Sequence, residues 1–153
     1  MQEPTHEELS QEIIEHLMHP KNYGKLDDAT GVGVGHDDVS GEYVIFYVHV
    51  DGQLIHKVSF ATNGCQDTVV LGSMFTDMIK NQTIDNAIKI SQKMREKISH
   101  QSATQQACAD MVLTSFAAAL AHHEMKLDGS TEEMHAIHVA QSCEVKEEVE
   151  NGQ

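Results

Sequence analysis

The sequence predicts a mixed fold in which a β-hairpin near the middle is followed by a run of helices. Two observations carry this. Tyr43 to Val50 is a nearly continuous β-branched and aromatic run, Asp51-Gly52 is a type I′ hairpin signal, and Leu54 to Ala61 returns as the partner strand. After Cys65 the period changes: Val70, Leu71, Met74, Phe75, Met78 and Ile79 recur at spacings of three and four, as a buried helical face requires.

The chain has 153 residues and 40 % hydrophobic content, enough for one domain that buries a core without disulfides. Ten Lys and Arg against 24 Asp and Glu give a net charge of -14, which repels a phosphate backbone or an anionic membrane surface. No nucleic-acid or membrane partner is expected. The N-terminus is polar and acidic, and no run approaches the roughly 18 apolar residues of a membrane span. Three cysteines without a secretory signal argue against a disulfide framework. The expected location is cytoplasmic.

In chain order, Thr5-His-Glu-Glu8 reads as a capping box, and Leu9, Ile13, Ile14 and Leu17 form the apolar side of a first helix. It ends by His19, because Pro20 disfavours helical geometry in the residue before it. Gly31-Val-Gly-Val-Gly35 lacks the Lys-Ser/Thr ending of a phosphate cradle and follows no strand, so it reads as a flexible loop. In the return strand, Lys57 and Ser59 make a wet side, Val58 and Phe60 a dry one. Thr83 opens a short helix through Ile88, and Ser91 caps another through Ile98. Ser102-Ala-Thr-Gln105 is a capping box for a long helix to about Met125, with Cys108, Met111, Val112, Ser115, Ala118 and Ala119 on one face. From Asp128 the chain is acidic and weakly patterned. A short helix is expected around Met134 to Ala140, then a mobile tail containing Cys143 and ending Glu-Val-Lys-Glu-Glu-Val-Glu150.

Candidate chemistry centres on Asn63-Gly64-Cys65 and Ala107-Cys108. Glycine before a cysteine lets a strand turn sharply into a helix, so the Cys65 sulfur is placed at a helix N-terminus, where partial positive charge favours a thiolate. Cys108 falls in the first two turns of its own helix. With Glu42 leaving the start of a strand, the two sulfurs can converge on one metal. The alternative for both is the small buried side chain that a free cysteine often is. Ser40 reads as a polar loop or strand-start residue, Cys143 as incidental, and His122-His123 and His135-x-x-His138 as solvated helix faces, the latter pair also at a helical spacing that could bind a metal weakly. No Ser-His-Asp or Cys-His pairing is present, so no enzyme is expected.

The order of helix, His16-x-x-His-Pro-Lys-Asn22-Tyr-Gly24, glycine loop, strands, Gly64-Cys65, helix and Cys108 helix resembles the U-type iron-sulfur cluster assembly scaffolds, the NifU/IscU-like family. The resemblance covers roughly residues 5 to 127. It implies an α+β fold with a three-stranded, mainly antiparallel sheet and helices packed on it and a scaffold domain over 1–127, which leaves the acidic stretch over 128–153 outside it as a mobile tail. The 43-position separation of Cys65 and Cys108 fits the family pattern, as do the twelve residues from Gly31 to Glu42, which put Ser40-Gly41-Glu42 on its Cys-Gly-Asp motif. An alternative register puts His36-Asp37-Asp38 there, with His36 as a nitrogen ligand. The family's first ligand cysteine is here Ser40, its aspartate Glu42, and the histidine beside its last cysteine Ala107. Its Pro-Pro-x-Lys chaperone segment stands as Ser102-Ala103-Thr104-Gln105.

By resemblance the chain is a scaffold that binds iron or a [2Fe-2S] cluster on Cys65, Cys108 and Glu42. Its partners are then a cysteine desulfurase and recipient apoproteins. A [2Fe-2S] cluster normally takes four thiolates, which two chains facing each other as a homodimer would supply. The second reading is a divergent module that binds a partner or a single metal such as zinc, which accepts mixed sulfur, nitrogen and oxygen ligands.

Overall fold

The computed structural model describes residues 6–139, with side chains from residue 11. Thr5 of the expected capping box, Cys143 and the acidic stretch to Glu150 lie outside the described residues. The elements are α1 (His6–Met18), β1 (Gly31–His36), β2 (Tyr43–Asp51), β3 (Leu54–Thr62), α2 (Gln66–Ile79), α3 (Ile84–Ile98), α4 (Ala103–Leu127) and β4 (His135–His138). The fold is α+β, but the sheet has four strands rather than three, in the order β3-β2-β1-β4. The β1–β2 and β2–β3 pairs are antiparallel, and β4 runs parallel to β1.

The glycine run is the first correction. Gly31 to Gly35 is not a flexible loop but most of β1, an inner strand of the sheet. Its alternation is the reason: glycines occupy every position on the side facing α4, and valines the other. A Cβ at Gly33 would overlap the backbone of Ser115, Ala118 and Ala119, and one at Gly31 would overlap the Ala119 carbonyl. Helix and strand backbones touch there because neither side carries bulk. On the same side of the sheet, Phe46 of β2 meets Phe75 of α2 and Phe116 of α4 at ring separations of 5.9 and 5.4 Å, and these three rings centre the core.

The β2–β3 hairpin forms as expected, closed through Gly52 at φ 66°, with Asp51 paired to Leu54. Thr83 caps α3 by accepting from Asn86 N–H, but α3 is one continuous helix to Ile98, so Ser91 does not begin a second. The Ser91 hydroxyl instead donates to the Ile88 carbonyl within that helix. In α2 the buried face is Thr68, Gly72, Ser73, Phe75, Thr76 and Ile79, displaced from the expected one; Met78 is 47 % exposed. Gly72 admits the Phe60 ring, which a Cβ would strike.

Among the described side chains of the first helix, Ile13 and Ile14 are exposed. The helix is held by its last turn. Lys21 N–H donates to Ser73 Oγ at 2.7 Å, and the Ser73 hydroxyl is hydrogen-bonded to His16 Nδ1 at 2.6 Å. Asn22, in the left-handed region at φ 58°, donates its amide to Thr76 Oγ1, and its carbonyl accepts from Phe60 N–H. The His16 to Gly24 motif thus fastens the N-terminal segment to α2 and to the edge of β3.

Beyond Leu127 the chain continues into the sheet. Residues 135 to 138 form β4 rather than a helix, so His135 and His138 point to opposite faces, and Val139 is 2 % exposed in the core. His122 and His123, expected on a solvated face, are 1 % and 8 % exposed. Val32 N–H donates to His122 Nδ1, so the ring proton sits on Nε2, which donates to the Glu132 carbonyl at 2.8 Å. No helix among the described residues is long and apolar enough to cross a membrane.

Candidate thiol and carboxylate site

The end of the sheet where β1 stops, β2 starts and β3 stops carries the sequence-predicted site residues. Three segments meet there: the turn from Asp37 to Glu42, the turn from Asn63 to Cys65, and the first turns of α4.

The first turn is organised by Asp37, which is 7 % exposed. Its carboxylate accepts from Val39 N–H, Ser40 N–H and the Ser40 hydroxyl, the last at 2.9 Å. Gly41, at φ 79°, closes the turn by donating its N–H to the Asp37 carbonyl. The second turn is tied to the first by Asn63, whose Oδ1 accepts from Tyr43 N–H at 2.8 Å while its Nδ2 donates to the Gly41 carbonyl at 3.0 Å.

Cys65 is the N-cap of α2, in extended backbone conformation, and its thiol is exposed. Ser102 caps α4 as expected, accepting from Gln105 N–H at 3.2 Å, which places Cys108 in the second turn with its side chain fully buried. The two sulfurs lie 3.8 Å apart. The Thr68 hydroxyl is 3.7 Å from the Cys65 sulfur. Cys65 carries a free thiol, whereas Cys108 is disulfide-bonded in this structure, so a thiolate at Cys108 requires reduction first.

Among the described residues, the His, Cys, Asp and Glu side chains whose donor atoms come within 4.8 Å of one another in a group of three are Cys65, Asp67 and Cys108. Asp67 is the residue that sequence reasoning missed. The signal was available: it sits two positions after Cys65, in the first turn of α2, where an acidic side chain is commonly a helix-dipole partner. Glu42 and His36 are not in this group. Glu42 is 5 % exposed and lies 3.5 Å from the Ser40 hydroxyl. His36 ends β1 and is bound to Asp38 Oδ1. Ser40-Gly41-Glu42 leads directly into β2.

The donor set fits a thiophilic cation. Two sulfurs on one tetrahedral ion with bonds of about 2.3 Å are roughly 3.8 Å apart, which is the observed separation. The carboxylate of Asp67 provides a third donor, and one position remains for water or a ligand from elsewhere.

The NifU-like N terminal domain family matches residues 8–129, and the chain belongs to it. The iron-sulfur cluster assembly scaffold protein IscU 1 of Archaeoglobus fulgidus is 37 % identical over 82 residues, 54 % of either chain. Its namesake IscU in Aquifex aeolicus is 32 % identical over 88 residues, 56 % of either chain. The chain thus spans about half the length of the curated relatives it matches.

Among solved structures, a putative scaffold protein for the SUF system from Fervidobacterium islandicum AW-1 superposes with a TM-score of 0.63 at 18 % identity, over 72 % of this chain and 94 % of that one. A NifU-like N-terminal protein from Brucella abortus gives 0.59 at 14 % identity, over 76 % and 94 %. These likenesses concern the fold. The matched family stretch ends at residue 129, before β4 begins.

Proposed function

We propose that this protein is an iron-sulfur cluster assembly scaffold: in its reduced form it receives iron, and sulfide with it, on Cys65, Cys108 and Asp67, and passes a cluster to apoproteins. The observation that carries this reading is the 3.8 Å separation of the two sulfurs beside a carboxylate. Membership of the family and the names of its relatives support the role.

Each residue has a distinct task. Cys65, exposed at a helix start, is the first point of contact for an incoming ion or persulfide sulfur. Cys108, buried under it, fixes the second bond and resists displacement. Asp67 supplies a hard oxygen that is exchanged more readily than sulfur, which suits cargo that must leave again. Glu42, beside Ser40 in the neighbouring turn, is a second carboxylate at the same end of the sheet. Ser40, standing where the family has a cysteine, removes one thiolate. A [2Fe-2S] cluster therefore needs donors from outside this set, and a second copy of the chain facing the first supplies two more thiolates. The sulfur donor is then a cysteine desulfurase, whose persulfide sulfur a separate two-electron donor reduces to sulfide, and the recipients are apoproteins, with no turnover by the scaffold itself.

The same separation favours one further reading, a single zinc on two thiolates, a carboxylate and water. Anaerobic reconstitution of the reduced protein with ferrous iron and sulfide separates them. Brown protein with acid-labile sulfide supports the scaffold. Colourless protein that keeps about one zinc per chain, the stoichiometry of one mononuclear site, and loses that zinc in Cys65→Ala supports the second reading and rejects the first.

A further inference from the structure

The family stretch ends before β4, and β4 brings a second cluster of ligating side chains to the sheet. In the parallel β1–β4 pair, His36 and His138 are register partners and project from the same face. Their rings lie 5.6 Å apart, centre to centre, at an interplanar angle of 79°. His36 Nδ1 is 2.9 Å from Asp38 Oδ1. The ring therefore donates from Nδ1 to the carboxylate, and Nε2 keeps the lone pair. A carboxylate behind one ring nitrogen is the arrangement that orients a metal-binding histidine and raises the basicity of its other nitrogen.

We propose that His36 and His138 form a surface site for a divalent transition-metal cation of the zinc or nickel class, oriented by Asp38 and separate from the cysteine site. Two imidazoles sharing a tetrahedral ion, with Zn–N bonds of about 2.0–2.1 Å, have ring centres roughly 5 Å apart, so a small ring rotation converts the observed pair into a chelate. Access is open. The His36 side chain is 30 % exposed, the Asp38 side chain 77 %, and His138 is exposed. Imidazole nitrogen with water in the remaining positions selects borderline cations over calcium or magnesium, which prefer oxygen. His36, a candidate ligand for the cysteine site, belongs with His138 instead, and the pair exists because β4 extends the sheet past the family domain.

The test is a zinc titration of the full chain carrying Cys65→Ala, which removes the competing exposed thiol. We expect one equivalent of Zn2+ to bind, with the His36 and His138 Nε2 resonances shifting in side-chain 15N spectra. Adding His138→Ala or His36→Ala weakens this binding at least tenfold, Asp38→Asn weakens it about tenfold, the lower end of the usual range for an orienting carboxylate, and exposed His100→Ala leaves it unchanged. The inference is overturned if Zn2+ leaves both Nε2 resonances unshifted in the Cys65→Ala protein, a reading that needs no substitution in β4. It is equally overturned if His100→Ala weakens binding as much as His138→Ala, which would mean general histidine binding.

Discussion

Asn63 holds the two site turns together through both ends of its amide: Oδ1 accepts from Tyr43 N–H and Nδ2 donates to the Gly41 carbonyl. Both bonds are exposed, so each is worth about 1 kcal/mol. Asn63→Ala should lower stability by about 1–2 kcal/mol on that basis. It should also loosen Ser40 and Glu42 relative to Cys65. Denaturant unfolding measures the first effect, and amide exchange at Tyr43 the second.

The contact of Gly33 with Ala119 and Ser115 leaves no room for a methyl group against backbone. Gly33→Ala should destabilise by more than the roughly 1–3 kcal/mol typical of overpacking, because backbone cannot rotate away as a side chain can. Ala at Gly41 meets open space but a positive φ, so Gly41→Ala should cost only about 1 kcal/mol. Comparing the two midpoints of thermal unfolding separates close approach from backbone conformation.

His122 bridges Val32 N–H and the Glu132 carbonyl while 1 % exposed. Replacing it by Leu keeps volume but leaves a donor and an acceptor unmet, at a cost of about 1–3 kcal/mol. Hydrogen exchange should accelerate first at Val32 and in β4, since the lost bonds join the strand to the segment that leads into it.

Lys57 donates to Asp28 Oδ2 at 2.8 Å, and this hydrogen bond, with the lysine's charge, holds the Asp28 carboxyl below its ordinary value of 3.8. The folded value lies below the unfolded one, so the pair's contribution is present above the unfolded pKa and is lost as pH falls through the folded one. The Asp28 side chain is half exposed, so the contribution is small. Titration of Asp28 followed by NMR should show a midpoint that moves upward in Lys57→Gln.

How legible all this was depended on whether the signal was local. The β2–β3 hairpin, the Thr83 and Ser102 caps and the Cys65 helix start are decided within a few residues, and each stands where the sequence places it. The β1 glycines misled because their reason is the backbone of α4, some eighty positions away, which no local pattern records. His122 likewise looks solvated until β1 and Glu132 arrive to satisfy its two nitrogens. β4 is too short to show a period, and its partner β1 has the glycine-rich composition of a loop. At the site, helix-start chemistry and spacing single out Cys65 and Cys108, whose sulfurs lie 3.8 Å apart. They do not single out Asp67, since an acidic residue in a first turn has an ordinary electrostatic reason to be there.

Cys65, Cys108 and Asp67 are the proposed ligand set of the reduced protein. Equilibrium binding of ferrous iron under anaerobic, reducing conditions tests it most directly, comparing the unmodified chain with Cys65→Ala and Asp67→Ala. About one high-affinity ion per chain is expected, lost in Cys65→Ala, weakened by an order of magnitude or more in Asp67→Ala, and absent without reductant because Cys108 cannot then ligate. High-affinity binding that survives Cys65→Ala unchanged would contradict this ligand set.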